Sequence, residues 1–102
     1  MLPSVTIIIP TYKGEKWFVE SLPVLTSQDY AGQYEILAVD SSSPDGTVGL
    51  LKQYGVRVIS IPKAAFSHGY ARNLGVRNAD SELVVFISQD VLPASLDWLT
   101  RD

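Results

Sequence analysis

The sequence has 102 residues, of which 46% are hydrophobic and 19% are charged, and its 8 basic and 11 acidic side chains give a net charge of -3. This composition suits one globular domain and argues against intrinsic disorder. The acidic balance argues against nucleic acid as a partner, and the absence of cysteine excludes disulfide scaffolds, thiolate zinc sites and a cysteine nucleophile.

The amino terminus does not have the pattern of a signal peptide, and no apolar run approaches the ~20 residues of a membrane span. We therefore expect a segment that makes no membrane contact of its own and that lies in the cytoplasm. Any attachment to the inner face of the membrane would come from a further part of the parent protein.

Four short runs rich in valine and isoleucine predict buried strands over residues 5–9, 34–39, 56–61 and 83–87. None of them alternates between apolar and polar residues, which is typical of parallel strands covered on both faces. The segments between the runs have helical features, so the chain alternates between strands and helices.

The first predicted helix covers residues 15–27, where Phe18, Leu22 and Leu25 form one apolar stripe and Pro23 is expected to cause a kink. The second begins at Ser43, which is a suitable N-cap, and runs to Tyr54. The third covers residues 67–78.

In the third helix, Tyr70 and Leu74 lie four residues apart on one face. Together the elements predict an α/β fold with a Rossmann-like parallel sheet and right-handed crossovers. A further helical pattern follows Pro93 and contains Trp98. We expect one domain part over residues 1–102 that is truncated at its carboxyl-terminal end, with an exposed edge through which copies can associate.

Polar residues follow the predicted strands at the edge where parallel α/β sheets bind their ligands. The candidate site residues are Pro10, Thr11 and Tyr12 after the first strand, Asp40 and Ser42 after the second, His68 and Arg72 in the third helix, and Gln89 and Asp90 after the fourth strand.

Each of these residues also has a structural interpretation. Asp40 can accept hydrogen bonds from a base or ribose, or it can serve in a turn. Arg72 can bind a diphosphate or nucleobase and shares a helix face with His68, or it can be an ordinary exposed arginine. Asp90 can coordinate Mg²⁺ or Mn²⁺, which need few protein carboxylates when phosphates complete the shell, or it can cap the next helix.

In chain order, the sequences VTIIIPTY, EILAVDSSSPDGT, ARNLG and FISQDVLP resemble the nucleotide-binding part of family 2 glycosyltransferases with the GT-A fold. The resemblance implies that Thr11 and Tyr12 flank the nucleobase, that Asp40 contacts it and that Arg72 holds the nucleotide. It also implies that Asp90 coordinates Mg²⁺ or Mn²⁺ on the sugar diphosphate. Pro10, Ser42, His68 and Gln89 complete the expected nucleotide-sugar site.

Ser88 stands where the family's DxD motif has its first acid. The resulting Ser-Gln-Asp, together with His68 and Gly69, resembles rhamnosyltransferase-like members and favours dTDP-rhamnose over UDP-sugars as the donor. The implied reaction is inverting sugar transfer to the hydroxyl of a saccharide or lipid-linked acceptor in bacterial surface-polysaccharide synthesis. The catalytic base is expected beyond residue 102, so this chain alone should be inactive.

Two other functional classes share this architecture. A receiver- or flavodoxin-like regulatory domain would accept a phosphoryl group on Asp40, but it needs an acidic cluster near the first strand, where the sequence has none. A sugar nucleotidyltransferase would need a glycine-rich basic loop after the first strand, and residues 13–16 are a poor match to one.

Overall fold

The computed structural model describes residues 2–28, 30–63 and 68–89, without the side chain of His68. In chain order its elements are β1 (Val5–Thr11), α1 (Glu15–Leu25), β2 (Tyr34–Asp40), α2 (Thr47–Gln53), β3 (Arg57–Ser60), α3 (His68–Asn78) and β4 (Leu83–Phe86). This alternation confirms the predicted α/β fold. The predictions for Asp90, for the helix after Pro93 and for Trp98 lie outside the described residues.

The four strands form one parallel sheet in the order β3-β2-β1-β4. β1 pairs with β2 over its whole length, from Val5 to Thr11, but with β4 only as far as Ile8. The chain runs outward from β1 to β3 and then crosses back to the other side of β1. The switch point of this topology therefore lies between β1 and β4.

Helices cover both faces of the sheet because residues along β1 alternate between the faces. Ile7 and Ile9 pack into the core that α1 and α2 share, whereas Ile8 faces α3 at Gly75. All three isoleucines are completely buried, which confirms coverage on both faces for β1. The residues of β3 and β4 are partly or largely exposed.

The apolar stripe of α1 is confirmed, since Phe18, Leu22 and Leu25 are all buried. The helix continues through Pro23 and ends two residues later. Among the helices that the structure describes, none has the length and hydropathy that crossing a membrane requires.

The predicted start of the second helix is wrong. α2 begins at Thr47 and not at Ser43, because the Ser43 hydroxyl is used within the loop, where it donates to Asp40 at 2.6 Å and accepts the N–H of Lys13 at 3.0 Å. In α3, Leu74 packs against the core, whereas Tyr70 is 46% exposed. A Cβ on Gly75 would lie 2.7 Å from Cγ2 of Ile8, so the absence of a side chain at this position allows α3 to approach the sheet closely.

Candidate active site

A cleft of about 650 Å³ opens at the carboxyl edge of the sheet between β1 and β4. It lies at the switch point, where parallel α/β sheets bind ligands. Its lining is drawn from the ends of β1 and β4 and from α3: Pro10, Thr11, Tyr12, Arg72, Phe86, Ile87, Ser88 and Gln89. Five of these are among the predicted site residues, and the fold brings them together.

Pro10 lies where the two strands part. The backbone N–H of Ile87 donates to the carbonyl of Ile8 at 3.1 Å, near the end of the ladder between β1 and β4. Pro10 follows two residues after Ile8, and its backbone faces the same neighbouring strand. Because proline has no N–H, the ladder cannot continue there, and the separation of the strands leaves room for a ligand.

Asp40 is the last residue of β2 and is completely buried. Its Oδ1 accepts hydrogen bonds from the hydroxyls of Thr11 at 2.7 Å and Ser43 at 2.6 Å, and its Oδ2 accepts the backbone N–H of Ser43 at 2.9 Å. In this structure the carboxylate therefore joins the end of β1 to the loop after β2. Its direct contact with a base stays a prediction.

The loops after β1 and β2 are held in unusual conformations. Lys13 has a φ of 51° and Ser42 has a φ of 58°, which are left-handed values that non-glycine residues seldom adopt. The N–H of Lys13 donates to the Ser43 hydroxyl at 3.0 Å, and the Ser42 hydroxyl donates to the carbonyl of Ile61 at 2.7 Å. Such strained positions persist only where surrounding contacts determine them, and they cluster at functional sites.

Gln89 joins the end of β4 to the end of β1. Its Oε1 accepts the N–H of Tyr12 at 2.9 Å, and its Nε2 donates to the carbonyl of the same residue at 2.8 Å. The two ends that border the cleft are thus tied by one side chain.

Cationic groups gather at the cleft although the chain has a net charge of -3. The guanidinium carbon of Arg72 lies 4.4 Å from the centroid of the Phe86 ring. The ammonium groups of Lys63 and Lys13 lie 4.9 Å and 5.5 Å from the centroid of the Tyr12 ring. A hydrogen bond with Lys63, aided by the charges of both lysines, lowers the pKa of Tyr12 from its usual value. The arrangement favours an anionic ligand with a planar group.

Three residues of this site were missed by the sequence analysis. Phe86 supports Arg72, Lys63 faces Tyr12, and Ser43 holds both Asp40 and Lys13. Lys63 and Ser43 follow predicted strands and could have been found from that position. Phe86 lies within a predicted strand, so its position in the sequence does not mark it as a site residue.

The backbone of His68 begins α3, one turn before Arg72, and its contact with a ligand stays a prediction. Within the ranges that the structure describes, histidine, aspartate and glutamate form no group of three that could hold a metal ion. Asp90, the predicted metal ligand, directly follows Gln89 in the sequence and lies outside those ranges.

Comparison with known proteins gives consistent matches over most of the chain. The family model described as Glycosyl transferase family 2 matches residues 6–101. The O-antigen chain rhamnosyltransferase WbaN of Salmonella anatum is 33% identical over 97 residues, which cover 89% of this chain and 29% of that protein. The poly(ribitol-phosphate) beta-N-acetylglucosaminyltransferase TarS of Staphylococcus aureus is 30% identical over 90 residues, which cover 83% of this chain and 16% of that protein.

Solved structures agree with these matches. A crystal structure of S. aureus TarS in complex with UDP-GlcNAc superimposes with a TM-score of 0.77 at 29% identity, covering 85% of this chain and 26% of that one. The mannosyltransferase PcManGT of Pyrobaculum calidifontis, in complex with GDP-Man and Mn²⁺, gives a TM-score of 0.79 at 28% identity. The match covers 94% of this chain and 30% of that one. The chain therefore spans less than a third of the length of these proteins.

Proposed function

The chain belongs to glycosyl transferase family 2, and on this premise we propose that it forms the donor-nucleotide part of an inverting glycosyltransferase. The whole enzyme would transfer a sugar from a nucleoside diphosphate to a hydroxyl of a saccharide or lipid-linked acceptor, in the synthesis of a cell-surface polysaccharide. The catalytic base would come from residues outside this sequence. Family membership also leaves the receiver-like and nucleotidyltransferase alternatives without support.

The observation that carries the proposal is the cleft between β1 and β4, which combines an aromatic ring, a guanidinium and backbone groups fixed by hydrogen bonds. Tyr12 and Thr11 would flank the nucleobase, and Arg72 would hold the diphosphate. The Phe86 ring beneath the guanidinium supports this role, because it restricts where the charge of Arg72 can lie. Negative charge on the departing diphosphate would then be stabilised by a cation already in place.

Asp90 would hold a divalent ion, Mg²⁺ or Mn²⁺, together with oxygens of the diphosphate and water. When bound, such an ion stabilises the negative charge of the leaving group. Two observations support this position. Gln89, the residue before Asp90, lines the cleft, and the structurally similar PcManGT was solved with GDP-Man and Mn²⁺.

For the donor we propose dTDP-rhamnose, which the Ser-Gln-Asp motif favours. The likeness to a rhamnosyltransferase supports this choice, whereas the TarS complex with UDP-GlcNAc makes a UDP-sugar the first competitor to test.

Two-dimensional amide NMR tests the proposal directly. The ¹⁵N-labelled chain would be titrated with dTDP, UDP, GDP and CMP, each with and without Mg²⁺. We expect one diphosphate to shift the amides of Thr11, Tyr12 and Arg72, and we expect Mg²⁺ to enhance the effect. A dispersed spectrum that responds to none of the four nucleotides would contradict the proposal.

Variants assign the roles within the site. Arg72→Ala should weaken binding of the diphosphate about 10- to 100-fold, because charge-assisted hydrogen bonds are lost, while the free nucleoside binds as before. Arg77→Ala, an exposed arginine near the end of the same helix, is the matched control. Asp90→Ala should remove the effect of Mg²⁺. An equal loss for diphosphate and nucleoside would assign Arg72 to packing, and an undiminished Mg²⁺ effect would exclude Asp90 as the ligand.

A further inference from the structure

The side-chain amide of Gln89 forms two hydrogen bonds to the main chain of one residue, Tyr12. The amide oxygen accepts at 2.9 Å and the amide nitrogen donates at 2.8 Å, across 77 positions of sequence. One acceptor and one donor on a single partner reproduce the pairing that a neighbouring strand would supply. Gln89 thus takes the place of a strand residue beyond the last pair of β1 and β4.

The opposite side of the same segment is held by the loop after β2 and by the first residue of α2. The N–H of Lys13 donates to Ser43, and the N–H of Gly14 donates to the Thr47 hydroxyl at 3.0 Å. A Cβ on Gly14 would lie 2.6 Å from Oε1 of Gln89. Residues 12–14 are therefore fixed between Gln89 on one side and the loop after β2 with the start of α2 on the other.

We propose that Gln89 is a positioning residue for the donor site, which acts by holding Tyr12 in the place where a nucleotide meets it. This inference rests on the proposed function. Only an amide of this length satisfies both main-chain groups, since it offers a donor and an acceptor together. A carboxylate would leave the carbonyl of Tyr12 facing a second acceptor, and a thioether would leave both groups of Tyr12 unpaired.

The test uses Gln89→Glu, Gln89→Met and a matched control. Gln28→Glu is the control, because Nε2 of Gln28 also donates to a main-chain carbonyl, that of Val24 at 3.0 Å. Gln28 is 7% exposed and lies beside Tyr34, at the opposite edge of the sheet. Both glutamate variants lose a donor to a carbonyl, but only one of them lies at the cleft.

The measurements are the ¹³C shift of the Tyr12 carbonyl, the ¹H shift of its amide and the affinity for the nucleotide that the wild-type chain prefers. In Gln89→Glu we expect the carbonyl signal to move and the affinity to fall about tenfold, or ~1.4 kcal/mol. In Gln89→Met both Tyr12 signals should move and the affinity should fall at least as far. Gln28→Glu should lower stability in urea and leave the Tyr12 signals and the affinity unchanged.

Four other results would count against the proposal or against the function on which it rests. Wild-type affinity in Gln89→Met would overturn the proposal, and so would a loss of affinity with unmoved Tyr12 signals, which would make Gln89 a direct ligand only. A comparable loss of affinity in Gln28→Glu would reduce the effect to general destabilisation. If the wild-type chain binds none of the nucleotides, the proposed function fails and with it the donor role, while the Tyr12 signals still report on the two hydrogen bonds.

Discussion

Asp40 is a single buried residue that joins two of the segments next to the cleft. Burial removes its carboxylate from water, and three hydrogen bonds from Thr11 and Ser43 replace the lost hydration. The same bonds fix the end of β1 and the loop that supports Lys13. The residue therefore contributes to the shape of the cleft without lining it.

Replacing Asp40 should destabilise the fold. Asp40→Ala leaves the hydroxyl of Thr11 and the N–H of Ser43 without their acceptor, so we expect the free energy of unfolding to fall by about 2–4 kcal/mol. Urea denaturation followed by circular dichroism measures this change. The control is Asp80→Ala, at an exposed position, which should stay within ~0.5 kcal/mol of the wild type. Unaltered stability of Asp40→Ala would mean that the network contributes little.

The packing of α3 on the sheet depends on the absence of side chains. Gly75 allows the helix to approach Ile8 so closely that a Cβ would overlap Cγ2 and Cδ1 of that residue, at 2.7 Å and 3.0 Å. Gly49, in α2, has open space around the corresponding position. One helical glycine therefore has no room for a side chain and the other has ample room, so the two can be compared directly by substitution with alanine.

The pair predicts stability changes of opposite sign. Gly75→Ala should lower the free energy of unfolding by about 1–3 kcal/mol, because α3 or Ile8 must move. Gly49→Ala should raise it by about 0.5–1 kcal/mol, because alanine favours the helix and meets no obstacle. Thermal unfolding of both variants measures the difference. Stabilisation by Gly75→Ala would show that α3 is not confined at this point.

The start of α2 carries a small dependence on pH. The hydrogen bond from the Thr47 hydroxyl lowers the pKa of Asp45 from its usual value of 3.8. The folded chain therefore holds the proton less tightly than the unfolded chain. The resulting stabilisation is complete above the unfolded pKa and is lost as the pH falls through the folded one.

Asp45→Asn isolates this effect, since an amide keeps an acceptor for Thr47 but does not titrate. We expect the variant to be slightly less stable than the wild type near pH ~7 and equal to it once the pH has fallen below the lowered pKa of Asp45. Urea midpoints across this range give the comparison. A difference that does not change with pH would place its origin in the side-chain geometry of Asp45.

The elements differ in how far they can be predicted from sequence. β1 and α1 are clear because their apolar residues follow the spacing of buried strands and of a helix stripe. The start of α2 cannot be predicted in this way. The hydroxyl of Ser43 binds Asp40, and this contact exists only after the loop has folded. The face of α3 is likewise set by the approach to Ile8.

The same distinction applies to the site. Strand ends gather at one edge of any parallel sheet, so Thr11, Tyr12 and Gln89 were predictable as neighbours. The contact of Arg72 with Phe86 was not predictable, since it depends on where α3 lies relative to β4 in the folded chain. The burial of Asp40 also depends on residues far from it in sequence.

At the scale of the whole molecule, charge is unevenly distributed. Arg72 lines the cleft and Lys13 and Lys63 lie near the Tyr12 ring at its border, whereas the chain as a whole is acidic. These three cations favour the approach of an anion to this edge of the sheet.

This distribution predicts a dependence on salt. Raising NaCl from ~0.05 M to ~0.5 M should weaken binding of the preferred nucleoside diphosphate about three- to tenfold, because exposed charges are screened. The free nucleoside should bind equally well at both concentrations. Calorimetric titrations at several salt concentrations provide the data. Equal sensitivity of both ligands would indicate an effect on the fold and not on the charges of the cleft.

The strand order also determines when the site can form during folding. β1, β2 and β3 are joined through successive crossovers, so their pairing requires only neighbouring segments of the chain. β4 must return to β1 across more than 70 residues, since Val5 pairs with Leu83. Closing so long a loop costs more entropy and delays the contact. The cleft lies at this junction, so a nascent chain would acquire it last, and ligand affinity would report that the sheet is complete.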